Sequence, residues 1–446
     1  FLGTNNQHPR NPRDEKKNAA GKLEPIDMGV LMCFDQATGK FLWQMVNDKL
    51  PSGRVHDWPK EGLCSTPTVE GDRVYVVTNR CEVNCLTVDG LGAGKNVGVT
   101  DEVHKGPTDA DVVWRYDMIK ELNVSPHNMS SSCPLILGDL LFVTTGNGVD
   151  EGHLNLPSPD APSFLCLNKK TGKLVWRDNS PGRNVMHGQW SSPCYVVDAK
   201  GRKQVIFPGG DGWIHAFDPA TGEHLWRFDA NPKDSKYDLG GKGTRSDFIG
   251  TPVFYEGKIY IGVGQDPEHN EGVGHLWCID PNGQGDVSPD LITDGTIFPP
   301  KTKPNPKSAA VWQFGGPTTP ADRAKLKRGF YFGRTMSTCA INEGLLYACD
   351  LGGNFVCLDA KTGAYLWGHD LGAQVWGSPY WVDHKIYIGD DNGVVHIFKH
   401  GRTKTVIAEN QLDETQIRSN PVFVDGVLYI MSVSNLYAIR SKIPAK

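Results

Sequence analysis

One phrase recurs at fixed spacing along this chain: an apolar pair, Asp or Asn, two residues, Thr-Gly, three residues and Trp. Its four copies occupy residues 33–43, 166–176, 216–226 and 357–367. Self-similarity of this kind is typical of a chain built from stacked supersecondary units, each of which buries its apolar face only against its neighbours. The sequence therefore predicts a repeat architecture.

A second phrase recurs upstream: a Pro, a Gly-containing turn and an apolar run. It begins at Pro67, Pro134, Pro252 and Pro421. Proline tolerates a strand start because its missing N–H costs nothing there, and Gly beside an acidic residue favours a tight hairpin. The Asp of the first phrase can accept hydrogen bonds from turn N–H groups, and its Gly supplies a positive φ. One unit is thus predicted to be four antiparallel strands, the blade of a β-propeller.

The Trp that ends each unit is predicted to be structural. Its indole ring is expected to lie buried between neighbouring blades, with the N–H bonded to a backbone carbonyl. Six positions share this expectation: Trp43, Trp114, Trp176, Trp226, Trp312 and Trp367.

The strand-opening positions set the number of blades. They fall at Pro67, Pro134, Pro193, Pro252, Cys339, Pro379 and Pro421. Six complete blades are predicted between residues 64 and 412, while residues 1–43 and 421–440 each supply three strands of a further blade. Because both ends carry their own middle strands, we expect an all-β, eight-bladed propeller. It is expected to form one domain over residues 1–446, with incomplete terminal blades and the missing strands before residue 1 of a longer precursor. Seven blades with a degenerate end is the alternative.

The charge and the lengths of the apolar runs argue against nucleic-acid binding and against a membrane-spanning helix. The net charge of −5 gives no basic footprint for nucleic acid. No apolar run approaches the ~18 residues that a membrane helix needs. Among the eleven Cys residues, Cys81 has two predicted disulfide alternatives, Cys85 or Cys64. Four others stand just before a turn acid, where a small buried hydrophobe is expected: Cys33, Cys166, Cys278 and Cys357.

Over residues 28–440, the repeat resembles that of quinoprotein alcohol dehydrogenase-like (PQQ-like) β-propellers. The segments GQWSSP (188–193), FPGGDGW (207–213) and GQDPEH (264–269) are similar to secreted PQQ-like repeat proteins of the planctomycete type. The same superfamily includes PQQ-dependent dehydrogenases and the non-catalytic propeller lipoprotein of the outer-membrane barrel-assembly machine. The resemblance implies a propeller fold and an exported protein, located in the periplasm or outside the cell.

For function, the resemblance implies two alternatives. Enzymes of the superfamily place Ca²⁺ beside the quinone with a Glu, an Asn and a catalytic Asp, and many stack the quinone on a disulfide between adjacent Cys residues. This chain has no adjacent Cys pair, and no Glu-Asn-Asp set matches. We therefore expect a non-catalytic binding or protein-interaction scaffold. The alternative is a PQQ-dependent dehydrogenase that oxidises an alcohol or a sugar, with PQQ and Ca²⁺ as cofactors.

The ligand site is expected in the funnel at one end of the propeller axis, where the loops ahead of the first strands converge. A guanidinium matches carboxylates and a Trp offers a stacking face, so a tricarboxylated quinone, an acidic sugar or a partner's loop would suit this ring. The alternative is that these side chains bond blade backbones at the rim. The predicted cofactor-binding set is His127, His187, Trp190, Arg245, Asp247, Arg334, Trp376 and Arg418.

Two loops that follow second strands combine carboxylates with His at short spacing. One contains Asp150, Glu151 and His153, and the other contains Asp266 and Glu268. Carboxylate oxygens favour Ca²⁺, so the four acidic residues are predicted metal ligands. The alternative is that both loops are ordinary solvated turns.

Overall fold

The computed structural model describes residues 1–265 and 272–440, and it has eight antiparallel sheets arranged as an eight-bladed β-propeller. The strands of blades 1–4 are, in order, Leu2–Asn5, Met28–Phe34 and Phe41–Asp48; Thr68–Glu70, Arg73–Val77, Glu82–Thr87 and Val112–Asp117; Leu135–Leu137, Leu140–Thr144, Phe164–Asn168 and Leu174–Asp178; Cys194–Val197, Lys203–Pro208, Trp213–Phe217 and His224–Asp229.

Blades 5–8 continue the pattern, with three described strands in blade 8 as in blade 1. Their strands are Val253–Tyr255, Lys258–Gly264, Gly274–Ile279 and Ala310–Gly315; Ala340–Asn342, Leu345–Cys349, Asn354–Asp359 and Tyr365–Asp370; Tyr380–Val382, Lys385–Gly389, Val394–Lys399 and Val406–Gln411; Val422–Val424, Val427–Met431 and Leu436–Arg440. The prediction of eight blades is confirmed.

A few elements lie outside this pattern. Gly285–Asp286 adds a short parallel strand to the outer edge of blade 4. Across residues 1–265 and 272–440, no helix is long and apolar enough to cross a membrane. The remaining elements are two hairpins, Glu15–Lys17 with Leu23–Pro25 and Asp290–Asp294 with Lys301–Pro304; the α-helices Met118–Leu122 and Pro320–Leu326; and the 3-10 helices Pro12–Asp14, Leu91–Ala93 and Gly182–Asn184.

Each first strand begins one residue after the position that the sequence predicted, so all seven openings are confirmed. First strands of neighbouring blades contact one another around the axis. Serine hydroxyls at the openings link these blades: Ser65 Oγ donates to the Ser132 carbonyl at 2.8 Å, and Ser191 Oγ donates to the Gly250 carbonyl at 2.8 Å. The inner ends of the blades are therefore hydrogen-bonded to each other through side chains.

The Asp-x-x-Thr-Gly phrase forms the turn between the third and fourth strands, as predicted. Asp35 Oδ1 accepts from Thr38 N at 2.8 Å and from Thr38 Oγ1 at 2.6 Å, and Gly39 has φ +69°. The turn is thus closed by its own side chains, which is why a short local sequence is enough to specify it.

The Trp residues join the outer parts of the blades. The indole of one blade lies over the glycine of the Thr-Gly turn in the next blade. A Cβ on Gly172 would lie 2.6 Å from Trp114 Cε3, so only glycine lets the indole cover that turn. This contact explains why the repeated sequence keeps both the Gly and the Trp. Five of the six indole N–H groups donate to a backbone carbonyl of the next blade at 2.8–3.0 Å: Trp43, Trp114, Trp176, Trp312 and Trp367.

Trp226 is the exception, because its Nε1 donates to Gln204 Oε1 of its own blade at 2.7 Å. Gln204 Nε2 in turn donates to the Pro281 carbonyl of blade 5 at 3.0 Å. The turn that contains Pro281 lacks the Thr-Gly pair. Gln204 therefore makes the hydrogen bond to the next blade that the indole makes directly at the other interfaces between neighbouring blades, here called seams.

The apolar cores lie mostly between blades, although one small cluster, formed by Met28, Val30 and Met32, lies within blade 1. Seven clusters of buried side chains each combine residues from two consecutive blades, from blades 1 and 2 through to blades 7 and 8. Each blade is consequently stabilised by its neighbours, as expected of a repeat fold.

All eleven Cys residues are free thiols, so neither predicted disulfide of Cys81 is present. Cys81 lies in a turn at φ +60° and its Sγ donates to the Thr145 carbonyl of the next blade at 3.4 Å, whereas Cys85 lies in the third strand of blade 2. Eight thiols are buried, including the four that precede turn acids, and this confirms their predicted role as small buried hydrophobes.

We predict that Gly172→Ala destabilises the protein more than Gly138→Ala. Both glycines have positive φ, +69° and +59°, so both substitutions cost about 1–2 kcal/mol of backbone strain. Only at Gly172 would the new methyl group also clash with Trp114, which adds about 1–3 kcal/mol. Urea unfolding of the two variants measures this difference, and equal losses would contradict the proposed indole–glycine contact.

Candidate functional site

Antiparallel strands alternate in direction, so the segment entering the first strand of a blade and the turn between its second and third strands lie at the same end. Isolated bridges join such segments: Pro126 pairs with Asn147, and Asp247 pairs with Gly264. We call this end the funnel face. Three histidines from such segments of blades 3 and 4 converge there.

His127 enters blade 3 and is 1% exposed. Its Nδ1 lies 2.7 Å from the Val149 carbonyl. Because a carbonyl can only accept, Nδ1 carries the proton and Nε2 presents a lone pair. Burial lowers the pKa of His127 to about 4, so the imidazole is neutral at neutral pH, which is the form that ligates metals.

His153 lies in the turn between the second and third strands of blade 3 and is half-buried. It has φ +57°, and its N–H donates to the Asp150 carbonyl at 3.0 Å. Its Nε2 is 3.1 Å from Nε2 of His127. The turn thus aims this imidazole at the lone pair of His127.

His187 enters blade 4, is 2% exposed, and accepts a hydrogen bond from Val149 N at its carbonyl, at 2.8 Å. Gly148 allows the approach of the two blades here. A Cβ on Gly148 would lie 2.2 Å from the His187 carbonyl oxygen and 2.7 Å from His127 Cβ. A glycine is therefore needed where the two histidine-bearing segments pass each other.

The three imidazoles form a compact cluster, here called the three-histidine cluster. One nitrogen from each of His127, His153 and His187 lies within 4.8 Å of the other two. Two imidazole nitrogens on a tetrahedral zinc ion with bonds of about 2.0–2.1 Å are roughly 3.3 Å apart, close to the 3.1 Å observed for His127 and His153. The donor set suits zinc or a similar transition metal.

Trp190 borders the cluster. Its ring centroid is 4.7 Å from that of His187, and its Nε1 donates to the His127 carbonyl at 3.2 Å. Of the predicted cofactor-binding residues, the structure therefore brings together His127, His187 and Trp190.

A second group of predicted residues lies across the funnel face, at blades 7 and 8. Arg418 forms a two-pronged ion pair with Asp391, with Nε–Oδ1 at 2.9 Å and Nη2–Oδ2 at 2.7 Å. Its guanidinium stands 4.8 Å above the ring of Trp376. The hydrogen bonds that Arg418 donates to Asp391 raise the pKa of Arg418, so this guanidinium already has a partner.

The remaining predicted residues enter blades 5 and 6. Asp247 is 3% exposed, and burial raises its pKa well above the ordinary range for a carboxyl group. Arg245 is half-buried beside it. Arg334 is buried, and its backbone bonds to Gly272 and Leu351. These three do not join the three-histidine cluster.

The predicted calcium ligands Asp150 and Glu151 have other partners. Asp150 accepts from Leu154 N at 2.8 Å and from Asn155 Nδ2 at 2.7 Å, which closes the turn that carries His153. Glu151 is exposed and lies 3.3 Å from Arg54 Nε. Asp266 and Glu268 lie outside the described residues, so their predicted role stays a prediction.

The funnel residues that the structure describes do not fit a calcium-bound quinone. Asp247 is the one carboxyl group of the predicted ring, whereas Ca²⁺ takes several oxygen ligands. Arg418, a candidate for quinone carboxylates, is paired with Asp391. The eleven thiols are all unpaired, so no disulfide offers a stacking platform.

The sequence pattern placed His153 with Asp150 and Glu151 in a candidate metal loop, but it did not predict the convergence of that loop with the segments of His127 and His187. The alternation of strand direction was the signal that could have found it, because this turn shares an end with the segments that carry His127 and His187.

Fold and funnel together define the class, an eight-bladed β-propeller with its candidate site at one end of the axis. The chain belongs to the family described as outer membrane protein assembly factor BamB, whose model matches residues 27–280 and 305–442. The chain is similar in structure to BamB from Moraxella catarrhalis, with a TM-score of 0.54 and 15% identity, covering 94% of this chain and 90% of that one. At this identity the likeness shows the fold alone.

The curated relatives that the chain resembles are enzymes of different kinds. The chain is 34% identical over 71 residues to the 1-butanol dehydrogenase (quinone) of Thauera butanivorans, covering 14% of this chain and 11% of that protein. It is 22% identical over 341 residues to the tetrathionate hydrolase of Acidithiobacillus ferrooxidans, covering 69% of this chain and 55% of that protein. The chain thus spans about half the length of one relative and a tenth of the other.

We predict that Gly148→Ala destabilises the protein by about 1–3 kcal/mol, because the methyl group would force apart the segments of His127 and His187. Gly152→Ala in the following turn is the matched control, since its Cβ would lie 3.6 Å from Leu154, an ordinary contact. That control is expected to change stability by at most about 0.5 kcal/mol. Chemical denaturation measures both, and equal losses would show that the close approach at Gly148 is not tight.

Proposed function

We propose that this protein is a binding scaffold with no catalytic role of its own, and that it captures its ligand through a divalent transition metal on His127, His153 and His187. The observation that carries the proposal is the convergence of three imidazole nitrogens within 4.8 Å. The Val149 carbonyl fixes the ring of His127, as an outer partner does for ligating histidines in metal sites.

Three protein ligands leave one coordination position of zinc open. His153 is half-buried while His127 and His187 are buried, so the side of His153 reaches solvent at the funnel face. A carboxylate or imidazole of a partner, or a small polar ligand, can complete the coordination there. The description of the family as an assembly factor favours a protein partner.

The quinone-dependent dehydrogenase is the alternative function, and the quinone enzymes among the relatives are its support. The funnel residues do not favour it, because Asp247 is the one carboxyl group of the predicted ring and Arg418 is already paired with Asp391. Robust dye reduction with alcohols or sugars after loading with PQQ and Ca²⁺, lost in Arg334→Ala, would contradict the scaffold proposal.

We predict that His153→Ala lowers zinc binding by one ion per chain. The chelator-treated full chain would be equilibrated with zinc, and the bound metal measured by elemental analysis and by competition with a chromogenic chelator. His8→Ala is the control, because His8 is an exposed imidazole outside the cluster and its loss should leave the zinc content unchanged.

With cobalt in place of zinc, the open position gives a second readout. The visible absorption of the cobalt-loaded protein should shift when imidazole is added, and this shift should be absent from His153→Ala. Equal zinc content in His153→Ala and the unsubstituted chain would contradict the three-histidine site.

We also propose that the protein acts in the periplasm or outside the cell. An oxidising compartment endangers accessible thiols, so its eleven free Cys residues require shielding. Burial provides it: eight thiols are buried, and burial raises the pKa of Cys81, Cys85 and Cys166 to about 12. Such thiols are protonated and unreactive at neutral pH.

We predict that a thiol reagent reacts with few groups of the native protein and with eleven groups after denaturation. Cys64 is exposed, but desolvation raises its pKa to about 12, so even this thiol reacts slowly at neutral pH. Cys64→Ser should remove one accessible group and leave the half-buried Cys133 and Cys194. Many fast-reacting thiols in the native chain would favour a reducing compartment instead.

A further inference from the structure

A second cluster of metal-binding side chains lies at the seam between blades 6 and 7, far along the chain from the three-histidine cluster. His369 lies next to the end of the outer strand of blade 6, Tyr365–Asp370. His396 and Glu409 are paired across the third and outer strands of blade 7. One ligand atom from each of the three lies within 4.8 Å of the other two.

His396 is oriented by a buried carboxylate. Its Nε2 lies 2.9 Å from Asp390 Oδ2, and the two residues are 4% and 1% exposed. The other oxygen of Asp390 accepts from Asn392 N and Val394 N, both at 2.9 Å. Asp390 is thus held as an acceptor, so Nε2 of His396 donates to it and Nδ1 is the ring nitrogen left to face other groups.

The buried Nδ1 of His396 has no hydrogen-bond partner in the part of the chain that the structure describes. The atom it faces is Glu409 Oε1, at 3.6 Å. A divalent metal ion placed between these two atoms would accept a lone pair from each.

His369 completes the arrangement from the neighbouring blade. Its Nε2 is 3.5 Å from the same Glu409 oxygen. The edge of its ring packs against Phe398, with centroids 5.2 Å apart, which fixes the direction of the imidazole. Both distances to Glu409 are close to the roughly 3.3 Å that separates ligand atoms on a tetrahedral zinc ion.

We propose that His369, His396 and Glu409 bind a divalent transition metal ion, with zinc as the best match, and that the ion ties blade 6 to blade 7. Two imidazoles and a carboxylate form a known zinc donor set. A carboxylate behind a ligating histidine, the place of Asp390, is the usual outer partner in such sites. The site is independent of the proposed function, because it shares no residue with the three-histidine cluster.

The test uses the full chain with His153→Ala, so that the three-histidine cluster does not contribute. This background should bind one zinc ion per chain. Adding Glu409→Gln should abolish that binding, because the amide replaces the charged ligand. Adding Glu414→Gln, which alters another exposed carboxylate of the same region, should leave it unchanged. Glu409 is itself exposed, so its substitution leaves the fold intact.

Two further readouts separate metal ligation from a simple ion pair. Zinc should raise the thermal unfolding midpoint of the His153→Ala chain but not that of the chain that also carries Glu409→Gln, because only a bound ion stabilises the seam. Asp390→Asn should weaken zinc binding by roughly 10- to 100-fold while the stoichiometry is retained at high zinc, as expected of a positioning residue.

Absence of zinc from the His153→Ala chain would overturn the proposal, and so would equal zinc content with and without Glu409→Gln. Neither outcome bears on the funnel site, which is removed in every chain of this series. If His153→Ala loses one zinc ion and keeps a second, and if Glu409→Gln removes that second ion, the two sites are established separately.

Discussion

The contact between an indole and the glycine turn of the next blade is the interaction on which the rest of the structure depends. Trp114 covers Gly172 and donates to the Lys169 carbonyl, so one side chain supplies both apolar burial and a hydrogen bond across a seam. Since seven of the core clusters among the described residues are shared by two consecutive blades, most of the apolar packing lies between blades. Fixing the seams therefore fixes the whole ring, and hydroxyls such as that of Ser65 add a hydrogen bond at the inner end.

Both candidate metal sites lie at such seams. The three-histidine cluster joins blades 3 and 4, and the cluster of His369, His396 and Glu409 joins blades 6 and 7. A ligand set drawn from two blades keeps its geometry only if the blades cannot slide past each other, and rigid strands hold site residues more exactly than free loops do. Gly148 shows how close that approach is, because a single methyl group there would collide with the segments of both His127 and His187.

Much of the fold could be predicted from the sequence, because the determining interactions are local. The Pro openings and the Asp35-type turns are closed within a few residues, and all seven first strands begin where the sequence placed them. Trp226 differs because its partner turn in blade 5 lacks Thr-Gly, so Gln204 bridges to Pro281. The added strand at Gly285–Asp286 was not predicted either, since its pairing joins blade 4 to a segment that follows blade 5's third strand. Of the candidate site, His127, His187 and Trp190 were predicted as funnel residues and His153 was placed in a separate candidate metal loop, whereas the second cluster was not predicted.

The sequence by itself determined the repeat, the positions of the strands and the residues that close each turn, because these depend on neighbours within one unit. Only the tertiary structure decided which side chains meet across seams. His369 and His396 are far apart in sequence, and no local spacing marks them as ligands of one ion. The protonation state of His127 likewise depends on burial and on the Val149 carbonyl, both of which exist only when the blades are packed. The geometry of the ligand atoms depends on how the blades pack together, whereas the geometry of one blade depends on the repeated sequence within it.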